Sequence, residues 1–225
     1  TVQFFDNGSA IGTAVTISSG SATSAAITNF GVSTHSITAV YSGDSSFIAS
    51  TSSSVNQTVN QANTTTTLAS TTPSVFGQSV TFTATVATTA PGAGTAGGTV
   101  TFKNGSNIIG TGTLTSGTAT LSIASLAVAS NSITAEYGGD LSFITSTSTP
   151  VSQVVNQAST TTTLASTTAS LFGQSVTFTA TVAATAPGAG NATGTVQFYD
   201  NGSAIGSAVT LTSGSATSAA ITNFG

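Results

Sequence analysis

The chain has 225 residues with one Lys or Arg, five acidic residues and one His, so charged residues make up 3% of a sequence that is 38% hydrophobic. A single cation excludes phosphate-backbone binding, which needs clustered Lys or Arg, and disfavours docking to anionic membranes. With no Cys there is no disulfide, thiolate metal site or Cys nucleophile, and no apolar run approaches the ~20 residues of a membrane-spanning helix.

The chain opens on TVQFFDNGSAIG (1–12), where Asn7-Gly8 supplies the φ > 0 residues of a tight hairpin turn. HSITAVYSGDSSFI follows at 35–48, with Gly43-Asp44 marking another turn. From residue 61 the strands can be counted, because apolar and Ser/Thr residues alternate with period two. TTTTLAS (64–70) is the first, and SVTFTATV (79–86) turns Val80, Phe82, Ala84 and Val86 to one face. TTAPGAGTAGG (88–98) reads as a loop. TVTFK (99–103) buries Val100 and Phe102, then IIGTGTL spans 108–114. GTATLSI (117–123) buries Ala119, Leu121 and Ile123, NSITAEY (131–137) buries Ile133, Ala135 and Tyr137, and STPVSQVVN (148–156) closes the set. Seven strands are expected and no helix. By repeat, Tyr41 is expected to be buried like Tyr137. Asn104-Gly105 and Asn201-Gly202 are read as hairpin turns like Asn7-Gly8.

Self-similarity is the strongest signal. NTTTTLASTTPSVFGQSVTFTATV from Asn63 recurs as STTTTLASTTASLFGQSVTFTATV from Ser159, an offset of 159 − 63 = 96. HSITAVYSGDSSFI and NSITAEYGGDLSFI, from His35 and Asn131, are also 96 apart. Residues 1–31 return as 195–225 with four differences: Phe5/Tyr199, Thr13/Ser207, Ile17/Leu211 and Ser18/Thr212. The predicted domains are therefore the back part of a repeat at 1–60, a complete repeat at 61–156 and the front part of a third at 157–225. A window cut from a continuous polypeptide with a larger period of 195 − 1 = 194 is the expected origin of these boundaries, and completion of each half by a neighbouring copy is the other reading.

Seven alternating strands in about 96 residues imply an immunoglobulin-like β-sandwich. The pattern TTTTLAS…SVFGQSVTFTATV…GTVTFKNG…SITAEYGGDLSF…VSQVVNQ resembles the tandem bacterial Ig-like repeats of large secreted and surface proteins, over essentially the whole chain. The resemblance implies an all-β rod of tandem sandwiches, an extracellular or cell-surface location, and a structural role as fibre segment or stalk with no catalysis. An adhesin or carbohydrate-binding module is the alternative. The expected partners are other copies of the chain or continuation of the same polypeptide, end to end or bundled, with no nucleic acid and no membrane.

No residue is put forward as catalytic, cofactor-binding or metal-ligating, and no cofactor is expected. His35 faces Asn131 in the next repeat and reads as a polar residue at a strand start. Lys103 and Glu136 replace Phe5 and Val40 together, which predicts an outward cross-strand ion pair, while an isopeptide bond would need a buried pair. Asp6, Asp44, Asp140 and Asp200 stand singly beside turn glycines, unlike the grouped carboxylates of a calcium site. Asn7, Asn56, Asn63, Asn104, Asn191 and Asn201 precede x-Ser/Thr, which so Ser/Thr-rich a chain produces by chance. With so few ionisable groups, stability is expected to be nearly flat with pH.

Overall fold

β-branched Thr and Val in strict alternation leave each strand with one apolar and one wettable face, so the stability of a strand depends on how far its apolar face finds cover. The computed structural model describes residues 1–71, 73–166 and 169–222. Residues 1–60 form β1 (Val2–Asp6), β2 (Ser9–Val15), β3 (Ser33–Tyr41), β4 (Ser50–Thr51) and β5 (Val55–Val59). They make one sheet in the order β2-β1-β3-β4, with β5 also pairing β3.

The central repeat contains β6 (Thr64–Ser70), β7 (Ser74–Val75), β8 (Val80–Thr88), β9 (Thr99–Asn104), β10 (Asn107–Thr113), β11 (Thr118–Ile123), β12 (Ala129–Tyr137), β13 (Ser146–Thr147) and β14 (Val151–Asn156). Two sheets face each other: β10-β9-β12-β14-β7, with β13 on β12, and β11-β8-β6. All seven expected strands are present, and β7 and β13 are two further two-residue strands. The core between the sheets contains Val80, Phe82, Ala84, Val86, Val100, Phe102, Ile133, Ala135 and Tyr137. The alternation of 79–86 is seen directly, since Val80, Phe82, Ala84 and Val86 are buried.

The third repeat has β15 (Thr160–Ser166), β16 (Phe178–Ala184), β17 (Thr195–Asp200), β18 (Ser203–Thr210) and β19 (Ser215–Thr217). Its first sheet, β15-β16-β19, copies β6, β8 and β11, but its second is only the hairpin β17-β18. Among the described residues the first repeat lacks one sheet of the sandwich and the third lacks most of the other.

One turn differs from expectation. Asn7 and Asn201 take φ of 48° and 45° at hairpin tips, but Asn104 ends β9 and opposes Asn107, so Gly105 (φ 58°) takes the tip. The reason is register. Asn104 stands where Asp6 stands in the first repeat, opposite Ile133 as Asp6 is opposite Ile37.

The connections are short and tied down. Residues 60–63 separate β5 from β6, and 157–159 separate β14 from β15. Within 60–63, the Ala62 amide donates to Ser142 O (2.8 Å) and its carbonyl accepts from Ile144 N (3.0 Å). At the next joint the amide of Ala189 donates to Phe76 O (3.2 Å). Gly77, at φ 80°, lies so close that a Cβ there would sit 2.2 Å from Ala189 O.

Candidate interaction surfaces

His35 is buried at 7% exposure, which corrects the expectation of a simple polar strand-start residue. Nδ1 lies 2.7 Å from Asp6 Oδ2, and Nε2 lies 2.8 Å from Gly31 O and 3.0 Å from Ser33 Oγ. Phe30 packs on the ring at 4.4 Å between centroids. Asp-His-Ser proximity suggests a catalytic triad, but the Gly31 carbonyl excludes that chemistry. A base must offer a lone pair at Nε2, whereas a carbonyl oxygen at 2.8 Å requires an N–H there. Two oxygens, one on each ring nitrogen, favour the doubly protonated ring. The Gly31 carbonyl first, and Asp6 second, raise its pKa above the ordinary 6.5. The central repeat performs the same task without charge. Asn131 Nδ2 donates to Ala127 O (3.1 Å), and its Oδ1 accepts from Asn104 Nδ2 (2.8 Å). The Asp6–His35 ion pair and the Asn104–Asn131 amide pair are alternative clamps on one loop.

Lys103 Nζ and Glu136 Oε2 meet across β9 and β12 with side chains 31% and 44% exposed. In such wet surroundings an exposed ion pair is the chemistry this site supports. Asp44 accepts from the amides of Ser46 (2.7 Å) and Phe47 (2.9 Å) and from Tyr41 Oη (2.8 Å). Those bonds, Ser46 N–H foremost, hold its carboxyl below the usual range. Asp140 makes the same turn through Ser142 and Phe143, but its second oxygen takes Gly97 N (3.1 Å) from the loop before β9. Burial pushes the Asp140 carboxyl up, and the donated N–H bonds of Ser142 and Gly97 outweigh it. Among the described residues no three His, Asp or Glu form a metal-ligand group. Asp200 is hydrogen-bonded by Asn201 Nδ2 at 3.1 Å.

The surfaces with the clearest chemistry are the open sheet faces. Phe143 is 6% exposed, but its copy Phe47 is 68% exposed, because the loop that covers Phe143 has no counterpart in 1–60. Tyr41 is half-buried, not buried as expected, for the same reason. Tyr137, fully covered, has its pKa pushed up to about 12, chiefly by burial. In the third repeat Leu164 is 64% exposed, whereas its copy Leu68 packs against the central core. An apolar cavity of about 210 Å³, lined by Leu164, Phe178, Ala180, Phe198 and Ile205, opens between the two sheets there. Sequence reading missed Gln153, fully buried on β14 with Nε2 donating to Ser74 Oγ at 3.1 Å.

Comparison with known proteins settles the family. The sequence profile of the bacterial Ig-like domain (group 3) matches residues 1–60, 66–156 and 161–224. The chain belongs to the bacterial Ig-like domain (group 3) family. Its sheets, with no helix among the described residues, are those of tandem Ig-like domains. Among solved structures, the fibronectin(III)-like modules of Clostridium thermocellum CbhA align with a TM-score of 0.34 and 17% identity, over 69% of this chain and 76% of that one. Comparison with curated proteins finds no match.

Proposed function

We propose that the chain is a repeated segment of an extracellular fibre or cell-surface stalk, with no catalytic role. The observation that carries this reading is the tandem order of three Ig-like domains joined by three or four residues. Quasi-one-dimensional arrays of this kind transmit stiffness through neighbour contacts. The connecting residues support it, since Ala62 is hydrogen-bonded into the domain it precedes and Gly77 packs against Ala189 of the next. The geometry of His35 supports it as well, since its two ring nitrogens face the Asp6 carboxylate and the Gly31 carbonyl in a structural clamp. Small-angle scattering on arrays of increasing repeat number tests the proposal. The expected result is a maximum dimension that grows by a constant increment per added domain, with no retention on immobilised polysaccharides. A dimension that fails to grow, or saturable polysaccharide binding, would overturn it in favour of a recognition module.

A further inference from the structure

Asn is followed by Gly at Asn7, Asn104 and Asn201. Such a pair loses its side-chain amide readily, because Gly has no Cβ to shield the backbone nitrogen that attacks the Asn carboxamide. The first two pairs sit differently, although equivalent serines oppose both turns, Ser36 in the first repeat and Ser132 in the central one.

Asn7 is at the hairpin tip, and the amide of Gly8, the attacking group, donates to no acceptor among the described residues. The Asn7 carboxamide is held at both ends. Ser36 N donates to its Oδ1 at 3.3 Å, and its Nδ2 donates to Asp6 Oδ1 at 3.0 Å. Asn104 is one register position earlier, in the place of Asp6, so Gly105 takes the place of Asn7. Gly105 N therefore donates to Ser132 O at 2.9 Å, as Asn7 N donates to Ser36 O at 3.0 Å. The attacking nitrogen is thus occupied. Asn104 Nδ2 is bound to Oδ1 of the buried Asn131 at 2.8 Å, and no donor reaches Asn104 Oδ1 among the described residues. The exposure of Asn7 and Gly8 belongs to the turn itself, because Gly105 and Ser106 are exposed at the same positions in the complete central repeat.

We propose that Asn7 is a self-modifying site, converted to aspartate and isoaspartate with water as the only co-reactant, while Asn104 is spared. Rotation about the bond from Asn7 Cα to its carbonyl carbon brings Gly8 N onto Cγ. The contacts with Ser36 lie on the other side of Cα and stay in place, and an exposed two-residue tip opens at small cost. Gly8 N bonds to Cγ as its proton passes to solvent. The oxygen of the tetrahedral adduct remains under the Ser36 N–H, which stabilises its developing charge. The Cγ–Nδ2 bond breaks, ammonia leaves with a proton from water, and a cyclic imide remains. Water then opens the ring, giving aspartate where the Cγ–N bond breaks and isoaspartate where the backbone C–N bond breaks. Each event takes the formal net charge from −4 to −4 − 1 = −5, a large relative change in a chain with so few charges.

The test follows the intact chain during storage in mildly alkaline buffer, folded and in urea. Peptic digestion at low pH stops the reaction, and mass spectrometry with electron-transfer fragmentation reads each site and separates isoaspartate from aspartate. In the folded chain Asn7 should convert about tenfold faster than Asn104, the order of effect that one hydrogen bond on the attacking nitrogen sets. In urea, where both turns are lost, the two should react at matched rates. Equal rates in the folded chain, or an Asn7 that stays intact, overturn the proposal. A difference that persists in urea overturns it too, because it then comes from the flanking Asp6 and Lys103 and not from the turns.

Discussion

Residues 21–23 and 215–217 are both Ser-Ala-Thr, inside 13-residue stretches that are identical from 19–31 to 213–225. One forms β19 against β16; the other forms no strand beyond a bridge at Ser21. The turn that precedes them is the same, with Ser19 and Ser213 at φ of 52° and 50°. What differs is the neighbour, because the first repeat contains no copy of β8 or β16. Local sequence therefore sets the turn, and the partner strand in the sheet decides whether the strand exists. The same lesson holds for Phe143 and Phe47, and for Leu68 and Leu164.

The largest test of this difference is a matched core truncation. Phe102 is fully buried between two sheets, while its copy Phe4 lies on a sheet with one face open. Phe102→Ala should cost about 3–5 kcal/mol, the range for deleting an enclosed aromatic. Phe4→Ala should cost less than half as much. Urea denaturation followed by circular dichroism measures both, and equal losses would break the comparison.

Much of the central repeat was legible in advance because its signals are local. Alternation at Val80, Phe82, Ala84 and Val86 marks a strand whatever the surroundings, and the 96-residue period separates the domains. The clamps were not legible, because Asp6 and His35 are 29 residues apart and meet only when β1 pairs β3. A signal did exist. Asp6 and His35 change together to Asn104 and Asn131, just as Phe5 and Val40 change to Lys103 and Glu136. Placing Asn104 on Asn7 hid it, since both precede glycine. Gln153 was hidden because its partner Ser74 lies on β7, a two-residue strand without any alternation.

The joint gives the next contrast. Gly77 and Gly173 have nearly the same φ, 80° and 81°, but only Gly77 meets the next domain. Gly77→Ala should combine left-handed strain with a clash on Ala189 and loosen the joint, visible as a broader interdomain distance distribution in scattering. Gly173→Ala should cost only the backbone strain, about 1–2 kcal/mol. Identical scattering from the two variants would remove the joint from the account.

The two clamps should titrate differently. The folded pKa of His35 is raised, so its contribution is complete below about 6.5, the unfolded value, and is lost as pH rises through the folded value. The first repeat should therefore melt lower on the alkaline side of that window, while the central repeat, clamped by Asn104 and Asn131, stays flat. Asp44 and Asp140 act in the opposite sense. Their lowered pKa values stabilise above the unfolded value of 3.8 and that contribution is lost as pH falls through the folded ones. Departures from the nearly pH-independent stability expected from composition are thus predicted at both ends. Thermal melts of wild type and the double variant Asp6→Asn/His35→Asn test it, and an unchanged alkaline slope in the double variant would contradict the ionic clamp.

Lys103→Ala should be the smallest effect, about a few tenths of a kcal/mol and weaker in high salt, as for other exposed pairs. A loss above about 1 kcal/mol would show that the pair is more enclosed than its exposure indicates.

The most direct measurement is amide hydrogen exchange of the intact chain, comparing β12 with its copy β3 residue by residue. The two strands are identical at five of nine positions and have corresponding ladder partners, and they differ in whether a second sheet faces them. In dilute solution the amides of β12 should be protected by near-global opening and those of β3 should exchange far faster. Equal protection of β3 and β12 in the dilute chain would contradict the claim that the facing sheet, and not the strand sequence, holds these domains closed.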